Sequence, residues 1–347
     1  MTNLGEVLTT ARRASGRTQA ELADAAGITQ AALSRYENGL REPAPEVLET
    51  LARELGVTTR FINHAGKVRG AMAVDAHMRR RGTAQATIWK RLEARLNMYR
   101  MHASLLSEDV HLNAEQKIPT FDPIDVTPDD AARMVRMQWR MPVGPVRDLT
   151  GWIEGAGCLV IEEDFETKRV DGMSQWINGT PLIFINSTAP TDRKRLTLAH
   201  ELGHLVLHSE EVSETVEDEA NAFAAEFLMP LEVIRPQLRN LRVDALFDLK
   251  REWGVSMGAL IERAFRAGVI TAAQRTSMWK LLSKKGWRTT EPLSDRLTPE
   301  RPKLTARIAA SLEEIGLSSE EIATMSGFAS SDVNRLLPAR RKGLRLA

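Results

Sequence analysis

The sequence predicts a mostly α-helical protein of the α+β class with more than one domain. In residues 1–66, short apolar-periodic segments alternate with glycines and prolines, as in a cluster of short helices. Apolar strand-like runs are concentrated between Cys158 and Asn186, which predicts one small sheet. After Leu241 apolar residues again recur at helical spacing, which predicts C-terminal helices.

Composition sets broad limits on function. A chain of 347 residues is longer than one typical domain, and a net charge of +1 means that any affinity for nucleic acid must be local. The single cysteine, Cys158, excludes an intrachain disulfide and fits a reducing compartment. No apolar run is long enough to span a membrane, and the N-terminus lacks the apolar core of a signal peptide. We therefore expect a cytoplasmic protein with no membrane partner.

The first predicted domain, residues 1–66, contains helices over 4–15, 19–26, 30–37 and 47–55. Thr18 followed by Glu21 is the pattern of a capping box at the start of the second helix. Gly27 allows the tight turn before the third helix, because glycine adopts positive φ without strain. Two short helices joined in this way form a helix-turn-helix.

The stretch TQAELADAAGITQAALSRYENGLREPAPEVLETLARELGV, which starts at Thr18, resembles the Xre/Cro-repressor type of DNA-binding domain. The resemblance implies a double-stranded DNA operator as partner, with the second helix of the motif in the major groove. We expect a homodimer, since such proteins read paired half-sites. Residues 1–67 carry eight basic and eight acidic side chains, so a protein-interaction module of the same fold is the alternative. The expected DNA-contacting residues are Gln19, Thr29, Gln30, Ser34 and Arg35.

Residues 67–126 form a basic connector and linker. Arg79-Arg80-Arg81 either adds to DNA contact or is a solvated helix face. Apolar residues recur at helical spacing over 84–106, which predicts a long helix that joins the domains and serves a dimer contact in one interpretation. Residues 107–128 are predicted to be irregular.

Residues 127–235 form the next predicted domain. Helices are expected from Thr127 to Trp139 and over 146–154, and strands over 158–161, 171–176 and 181–186. One of these strands is expected to pair with an extended peptide, and the sequence leaves open which one. The charged run over 192–195 either caps the neighbouring site electrostatically or is solvated, and solvation is our expectation.

Residues His200-Glu201-Leu202-Gly203-His204 form an HExxH pattern. On a helix, residues four apart share a face, so His200 and His204 can offer two imidazoles to one ion. Glu201 projects beside them and is placed to act as a general base. This is the arrangement of a zinc hydrolase, and the alternative is a core helix with ordinary histidines.

A second helix, predicted over 216–230, is expected to supply the third ligand. Ala220 and Ala224 share the face of Glu217 and allow close approach to the first helix, so Glu217 is the first candidate. Glu219 points about 200° away from it and is the second candidate. The alternative is that these acids form a solvated first turn, stabilised by the helix dipole.

RLTLAHELGHLVLH, followed by EDEANAFAAEFLMP, resembles the ImmA/IrrE family of metallopeptidases. The resemblance implies a minimal zincin-like α/β domain with a small sheet, in which His200, His204 and Glu217 hold Zn²⁺ and Glu201 is the catalytic base. His208 also fits the family pattern. It is expected either to contact the transition state as a catalytic residue or to pack beneath the site.

The C-terminal region is predicted to be helical. Residues 236–292 are either an extension that packs on the zincin-like domain, which is our expectation, or a second DNA-contacting element. Residues 293–347 repeat helix-turn-helix spacing weakly, with Ser318 and Glu321 as a capping box and Gly327 at the turn. They end in a basic tail.

We therefore expect a DNA-binding transcriptional regulator with a fused zinc metallopeptidase domain that cleaves a repressor or antitoxin-like protein. The alternative is a non-catalytic DNA-binding repressor or antitoxin whose zincin-like domain serves sensing or dimerisation. In a further alternative the chain is the repressing component of a toxin–antitoxin pair.

Overall fold

The computed structural model describes residues 4–68, 86–112, 114–208, 215–239 and 241–338. The predicted contribution of Arg79-Arg80-Arg81 to DNA contact and the basic tail from residue 339 lie outside these ranges. Within them the chain is mostly helical around a three-stranded sheet, which confirms the predicted fold class. Over the same ranges, no helix is long and apolar enough to cross a membrane.

The first domain is a cluster of short helices with a common apolar core. Thr18, Thr29 and Thr58 each cap a helix by accepting a hydrogen bond from a backbone N–H in its first turn. The predicted capping box of Thr18 and Glu21 is present. Leu33 and Phe61 are fully buried in this core. The helices in residues 4–65 are α1 (Leu4–Ala14), α2 (Gln19–Ala25), α3 (Gln30–Glu37), α4 (Pro45–Glu54) and α5 (Thr59–Ala65).

A long helix, α6 (Ala86–Asp109), lies between the first domain and the sheet. Leu105 is buried in the core of the first domain, whereas Leu96 and Tyr99 are buried in the core beneath the sheet. The predicted connecting helix is therefore present, and it contributes side chains to two cores.

The sheet contains β1 (Leu159–Glu163), β2 (Gly172–Ile177) and β3 (Thr180–Asn186) in the order β1-β3-β2. β1 runs parallel to β3, and β2 runs antiparallel to it. The β2–β3 turn has positive φ at Asn178 and Gly179, as a two-residue turn between twisted strands requires. Since β3 is central, β1 and β2 each have one edge that pairs with no further strand within the described ranges.

Helices from both sides of residue 235 share one apolar core with the HExxH helix. Leu202, Phe227 and Trp253 belong to the same buried cluster. Side chains from these later helices thus complete the core around the HExxH helix. These helices are α7 (Pro128–Gln138), α8 (Leu149–Gly155), α9 (Thr191–Leu207), α10 (Val216–Leu228), α11 (Leu231–Leu238), α12 (Val243–Trp253), α13 (Met257–Arg266) and α14 (Ala272–Lys284).

The last helices, α15 (Leu304–Glu314) and α16 (Ser319–Met325), bring the chain back to the first domain. Val57 and Phe328 form a β-bridge, and the Thr58 N–H donates to the Gly327 carbonyl at 3.0 Å. The His102 ring of α6 is stacked between Phe61 and Phe328, with centroid distances of 4.0 and 3.8 Å. The C-terminal segment therefore closes onto the first domain.

The expectation that the charged run at the start of α9 is solvated is wrong for two of its residues. Asp192 and Arg195 are buried. Arg195 donates to the Gly254 carbonyl at 2.9 Å and pairs with Glu300, while Asp192 pairs with the fully buried Lys250. The partners come from positions 58 to 105 residues further along the chain, so local sequence pattern gives no sign of them.

Candidate metal centre and DNA-contacting helix

The side chains of His200, His204 and Glu217 converge where α9 and α10 pack together. One ligand atom from each lies within 4.8 Å of the others. The two Nε2 atoms are 3.0 Å apart, and each lies 3.6 Å from a Glu217 carboxylate oxygen. The structure therefore brings the three predicted ligands together, and their role as ligands stays a prediction.

Small residues make this convergence sterically feasible. A Cβ atom at Gly203 would lie 3.1 Å from the Phe223 ring and 3.3 Å from the Ala220 backbone. Ala220 and Ala224, on the facing side of α10, are fully buried. Close approach of the helices depends on these positions, and it brings Glu217 near both histidines.

Glu201 lies beside this cluster and is buried. The Ser174 hydroxyl of β2 donates to Glu201 Oε2 at 2.8 Å and orients the carboxylate. A cavity of about 200 Å³ opens here between β2, α9 and α10. Its walls include Gly172, Met173, Thr197, His200, Glu201 and Glu217.

His208 lies behind His204 and is not among the residues that line this cavity. Its Nδ1 is 3.0 Å from His204 Nδ1, and its Nε2 is 2.8 Å from Glu219 Oε2. Of the two predicted roles for His208, this position favours packing beneath the site over direct contact with a substrate.

Glu219, the second candidate for the third ligand, is turned away from the cluster. Its carboxylate accepts hydrogen bonds from His208 and, at 2.7 Å, from the Thr215 hydroxyl. Partial burial opposes ionisation, but the hydrogen bonds from Thr215 and His208 outweigh it and lower the pKa of Glu219. An ionised Glu219 is a strong acceptor for the His208 ring.

Two polar residues at the site were missed by the sequence analysis. Asn221 Oδ1 lies 3.1 Å from His200 Nδ1, and Ser174 contacts Glu201. Asn221 is four residues after Glu217 on a helix, so helical spacing is a signal that could have found it. Ser174 belongs to a strand whose pairing was unknown, and no local signal indicates its contact.

The predicted DNA-contacting residues lie on or near α3. Thr29, Gln30 and Arg35 are exposed, whereas Ser34 and Gln19 are half-buried. The Thr29 hydroxyl accepts from the Ala32 N–H as the helix cap. Their contact with DNA stays a prediction.

A polar network supports the start of α3. Gln30 Nε2 donates to Gln19 Oε1 at 3.3 Å, and Gln19 Nε2 donates to Glu37 at 2.7 Å. Glu37 is in turn paired with Arg12 of α1 through two short hydrogen bonds. Arg12 and Glu37 were not among the predicted functional residues, because their contact spans 25 residues and local sequence pattern gives no sign of it.

Two family models match the chain. The model described as helix-turn-helix matches residues 8–62, which comprise most of α1 and all of α2 to α4. The model described as IrrE N-terminal-like domain, of a peptidase family, matches residues 153–265. A comparison with curated proteins gave no match.

The second match begins in α8, includes the sheet and the HExxH helix, and runs past residue 235 into α13. Such peptidases are typically metal-dependent, in keeping with the His200, His204 and Glu217 cluster. These matches confirm the predicted fusion: residues 8–62 are similar to Xre-type helix-turn-helix domains, and residues 153–265 are similar to ImmA/IrrE-type peptidase domains.

Proposed function

We propose that this chain is a DNA-binding transcriptional regulator whose second domain is a zinc-dependent metalloendopeptidase. The observation that carries the proposal is the convergence of His200, His204 and Glu217 beside the hydrogen-bonded carboxylate of Glu201. Two imidazole nitrogens and one carboxylate are a typical ligand set of catalytic zinc.

The spacing of the ligand atoms supports zinc. Bonds of about 2.0–2.1 Å in a tetrahedral site put neighbouring ligand atoms about 3.3–3.4 Å apart. The observed separations of 3.0, 3.6 and 3.6 Å lie on both sides of that value. Glu219 remains outside the set because its carboxylate is engaged by His208 and Thr215.

The chain's own residues have distinct roles in this proposal. Bound zinc would polarise a peptide carbonyl and lower the pKa of a water molecule. Glu201 takes the proton from the attacking water and later delivers it to the leaving amine. Ser174 holds the carboxylate of Glu201 in place through its hydrogen bond.

We infer that β2 is the strand that pairs with an extended substrate. β3 is paired on both sides, whereas the outer edge of β2 has no strand partner in the described part of the chain, and Gly172 and Met173 of β2 line the cavity. Added main-chain hydrogen bonds at this edge would place a scissile bond near Glu201. The fusion to a DNA-binding domain supports a repressor or antitoxin-like protein as the substrate.

For the DNA-binding domain we propose operator contacts by Gln19, Thr29, Gln30, Ser34 and Arg35. Support comes from the exposure of Gln30 and Arg35 on α3 and from the network that fixes Gln19. A homodimer would present two such helices to paired half-sites.

The Glu201→Gln variant tests the catalytic proposal. It preserves the three ligands and an acceptor for Ser174 but removes the base, so we expect metal content to be unchanged and hydrolysis to fall about 10²–10⁴-fold. Mass spectrometry of protein N-termini, in cells with wild type or variant, measures cleavage. A confirmed target is then incubated with each purified protein.

Identical protein N-termini in both cell lines, with equal regulation, would favour the alternative of a non-catalytic repressor with a sensing or dimerising domain. N-termini that depend on wild-type protein, and cleavage of the purified target, would support the peptidase.

A further inference from the structure

His204 is joined to the first turn of α10 by a chain of short polar contacts. His204 Nδ1 is 3.0 Å from His208 Nδ1, and His208 Nε2 is 2.8 Å from Glu219 Oε2. The Thr215 hydroxyl then donates to Glu219 Oε1 at 2.7 Å. The side chains of His204 and His208 are less than a tenth exposed, so water competes weakly with these contacts.

We propose that His208 and Glu219 are positioning residues that hold His204 in the one ring tautomer able to bind a metal ion. The inference rests on the proposed metal site and goes beyond it by assigning a role to two residues outside the ligand set.

The tautomers of His204 and His208 follow from the donor and acceptor at each hydrogen bond between His204 and Glu219. His204 Nε2 faces His200 and Glu217, so binding a metal there requires a lone pair on Nε2 and a proton on Nδ1. That proton is donated to His208 Nδ1, which must therefore be an acceptor. With Nδ1 as the acceptor, the ring proton of His208 is on Nε2 and is donated to Glu219.

The carboxylate of Glu219 at the end of this series of hydrogen bonds fixes the donor-to-acceptor direction of each of them. The oxygens of a carboxylate are acceptors, and Glu219 Oε2 faces His208 Nε2 at 2.8 Å, so His208 Nε2 is the donor in this contact. A donor group in place of Glu219 would allow the opposite direction, which puts a proton on His204 Nε2 and blocks metal binding. The acid thus selects the metal-ready form of a ring that it does not touch.

The second histidine has a matching arrangement. His200 Nδ1 lies 3.1 Å from Asn221 Oδ1, an amide oxygen that can only accept. The Nε2 atom of His200 therefore carries no proton, and its lone pair also faces the cluster. The ring of each predicted ligand histidine is thus connected to an acceptor on α10. His200 contacts Asn221 directly, and His204 is connected to Glu219 through His208. Such outer partners typically change metal affinity by about 10- to 100-fold.

Glu219→Gln and Asp218→Asn form a matched pair. Each removes one negative charge from the first turn of α10, but Asp218 is exposed. The full chain is freed of metal and titrated with Co²⁺, whose visible absorption reports tetrahedral binding, and then with Zn²⁺ in competition. We expect Glu219→Gln to bind both ions about 10- to 100-fold more weakly than wild type, and Asp218→Asn to match wild type.

A second pair of variants tests His208, the residue between His204 and Glu219. His208→Asn retains an oxygen near the position of Nδ1 that can accept from His204, whereas His208→Leu retains only bulk. We expect the leucine variant to lose more Co²⁺ affinity than the asparagine variant. Circular dichroism checks folding, and if the leucine variant does not fold, the Glu219→Gln result decides.

The outcomes separate this inference from the proposed function. If Glu219→Gln and Asp218→Asn both bind Co²⁺ and Zn²⁺ as tightly as the wild type does, the positioning role is overturned and the metal site stands. Absence of Co²⁺ and Zn²⁺ binding in the wild type would overturn both.

Discussion

Arg35 provides a direct test of DNA contact at the scale of one residue. It is exposed on α3, and Arg53 is exposed on α4, so Arg35→Ala and Arg53→Ala remove the same charge from different helices. If Arg35 contacts a base, its loss should weaken binding by about 1–3 kcal/mol and relax specificity at that position, with little effect from Arg53. Fluorescence anisotropy on duplexes selected from a random pool measures this. Equal affinities for both variants would remove Arg35 from the interface.

His102 makes the stability of the fold depend on pH. Burial between Phe61 and Phe328 lowers the pKa of His102 from 6.5 to about 3, against the raising effect of its hydrogen bond with the Ser326 carbonyl. Because the folded-state pKa is depressed, the unfolded chain binds the proton first, and stability falls as the pH drops below about 6.5.

We expect His102 to reduce the free energy of unfolding by about 2 kcal/mol between pH 7 and pH 5. Urea unfolding at both values measures it, with His102→Phe as the control that retains an aromatic ring but cannot titrate. The control should lose less stability over this interval than wild type. Equal losses in both proteins would contradict a buried, neutral His102.

At the scale of elements, the approach of β2 to α9 depends on Gly172. A Cβ atom there would lie 2.4 Å from Thr197 Cγ2 and 3.1 Å from Glu201 Cγ. Gly172→Ala should force the strand away from the helix, at a cost of about 1–3 kcal/mol in unfolding free energy, and weaken the hydrogen bond between Ser174 and Glu201.

Gly155→Ala at the end of α8 is the control for Gly172→Ala, because an added Cβ at Gly155 meets nothing within 4 Å. Chemical denaturation and zinc content of both variants are the measurements. Wild-type stability and zinc content in Gly172→Ala would show that the strand tolerates the added methyl group.

The elements of the site show what the sequence could predict. Apolar spacing and the small residues Ala220 and Ala224 predicted two helices in close contact, and the HExxH spacing predicted which side chains share a face. The bond from Ser174 to Glu201 and the burial of Asp192 and Arg195 depend on strand pairing and on segments far along the chain. Local periodicity carries no information about either.

At the scale of the whole molecule, the helix-turn-helix domain and the sheet beside the candidate metal centre are connected by hydrogen bonds through α6. The Ser104 hydroxyl of α6 lies 2.9 Å from His64 Nε2 of α5 and accepts from Asn178 of the β2–β3 turn at 2.9 Å. The DNA-binding domain and the hairpin beside the cavity are therefore linked through one buried side chain. The sequence predicted α6 as a connection between domains but not these contacts.

Closure of the C-terminal segment onto the first domain depends on Gly327. An added Cβ there would lie 2.8 Å from the Phe61 ring and 2.9 Å from Leu105, whereas at Gly316 it meets nothing within 4 Å. Both glycines have positive φ, so Gly327→Ala and Gly316→Ala share the backbone strain and differ in the clash.

We expect faster hydrogen exchange at the Thr58 amide in Gly327→Ala than in Gly316→Ala, since that amide donates to the Gly327 carbonyl. Equal protection in the two variants would show that the contact with Phe61 and Leu105 is not what holds the segment. The sequence predicted the turn at Gly327, but its partner lies about 270 residues earlier, beyond the reach of local pattern.

The most direct test of the central claim is the metal content of the purified full chain, with wild type beside His204→Ala. Elemental analysis after dialysis should find about one zinc per wild-type chain and almost none in the variant, since a catalytic site with two remaining protein ligands binds weakly. Absence of zinc from both proteins, even after zinc is added back, would contradict the metallopeptidase proposal and leave a DNA-binding regulator with an inactive second domain.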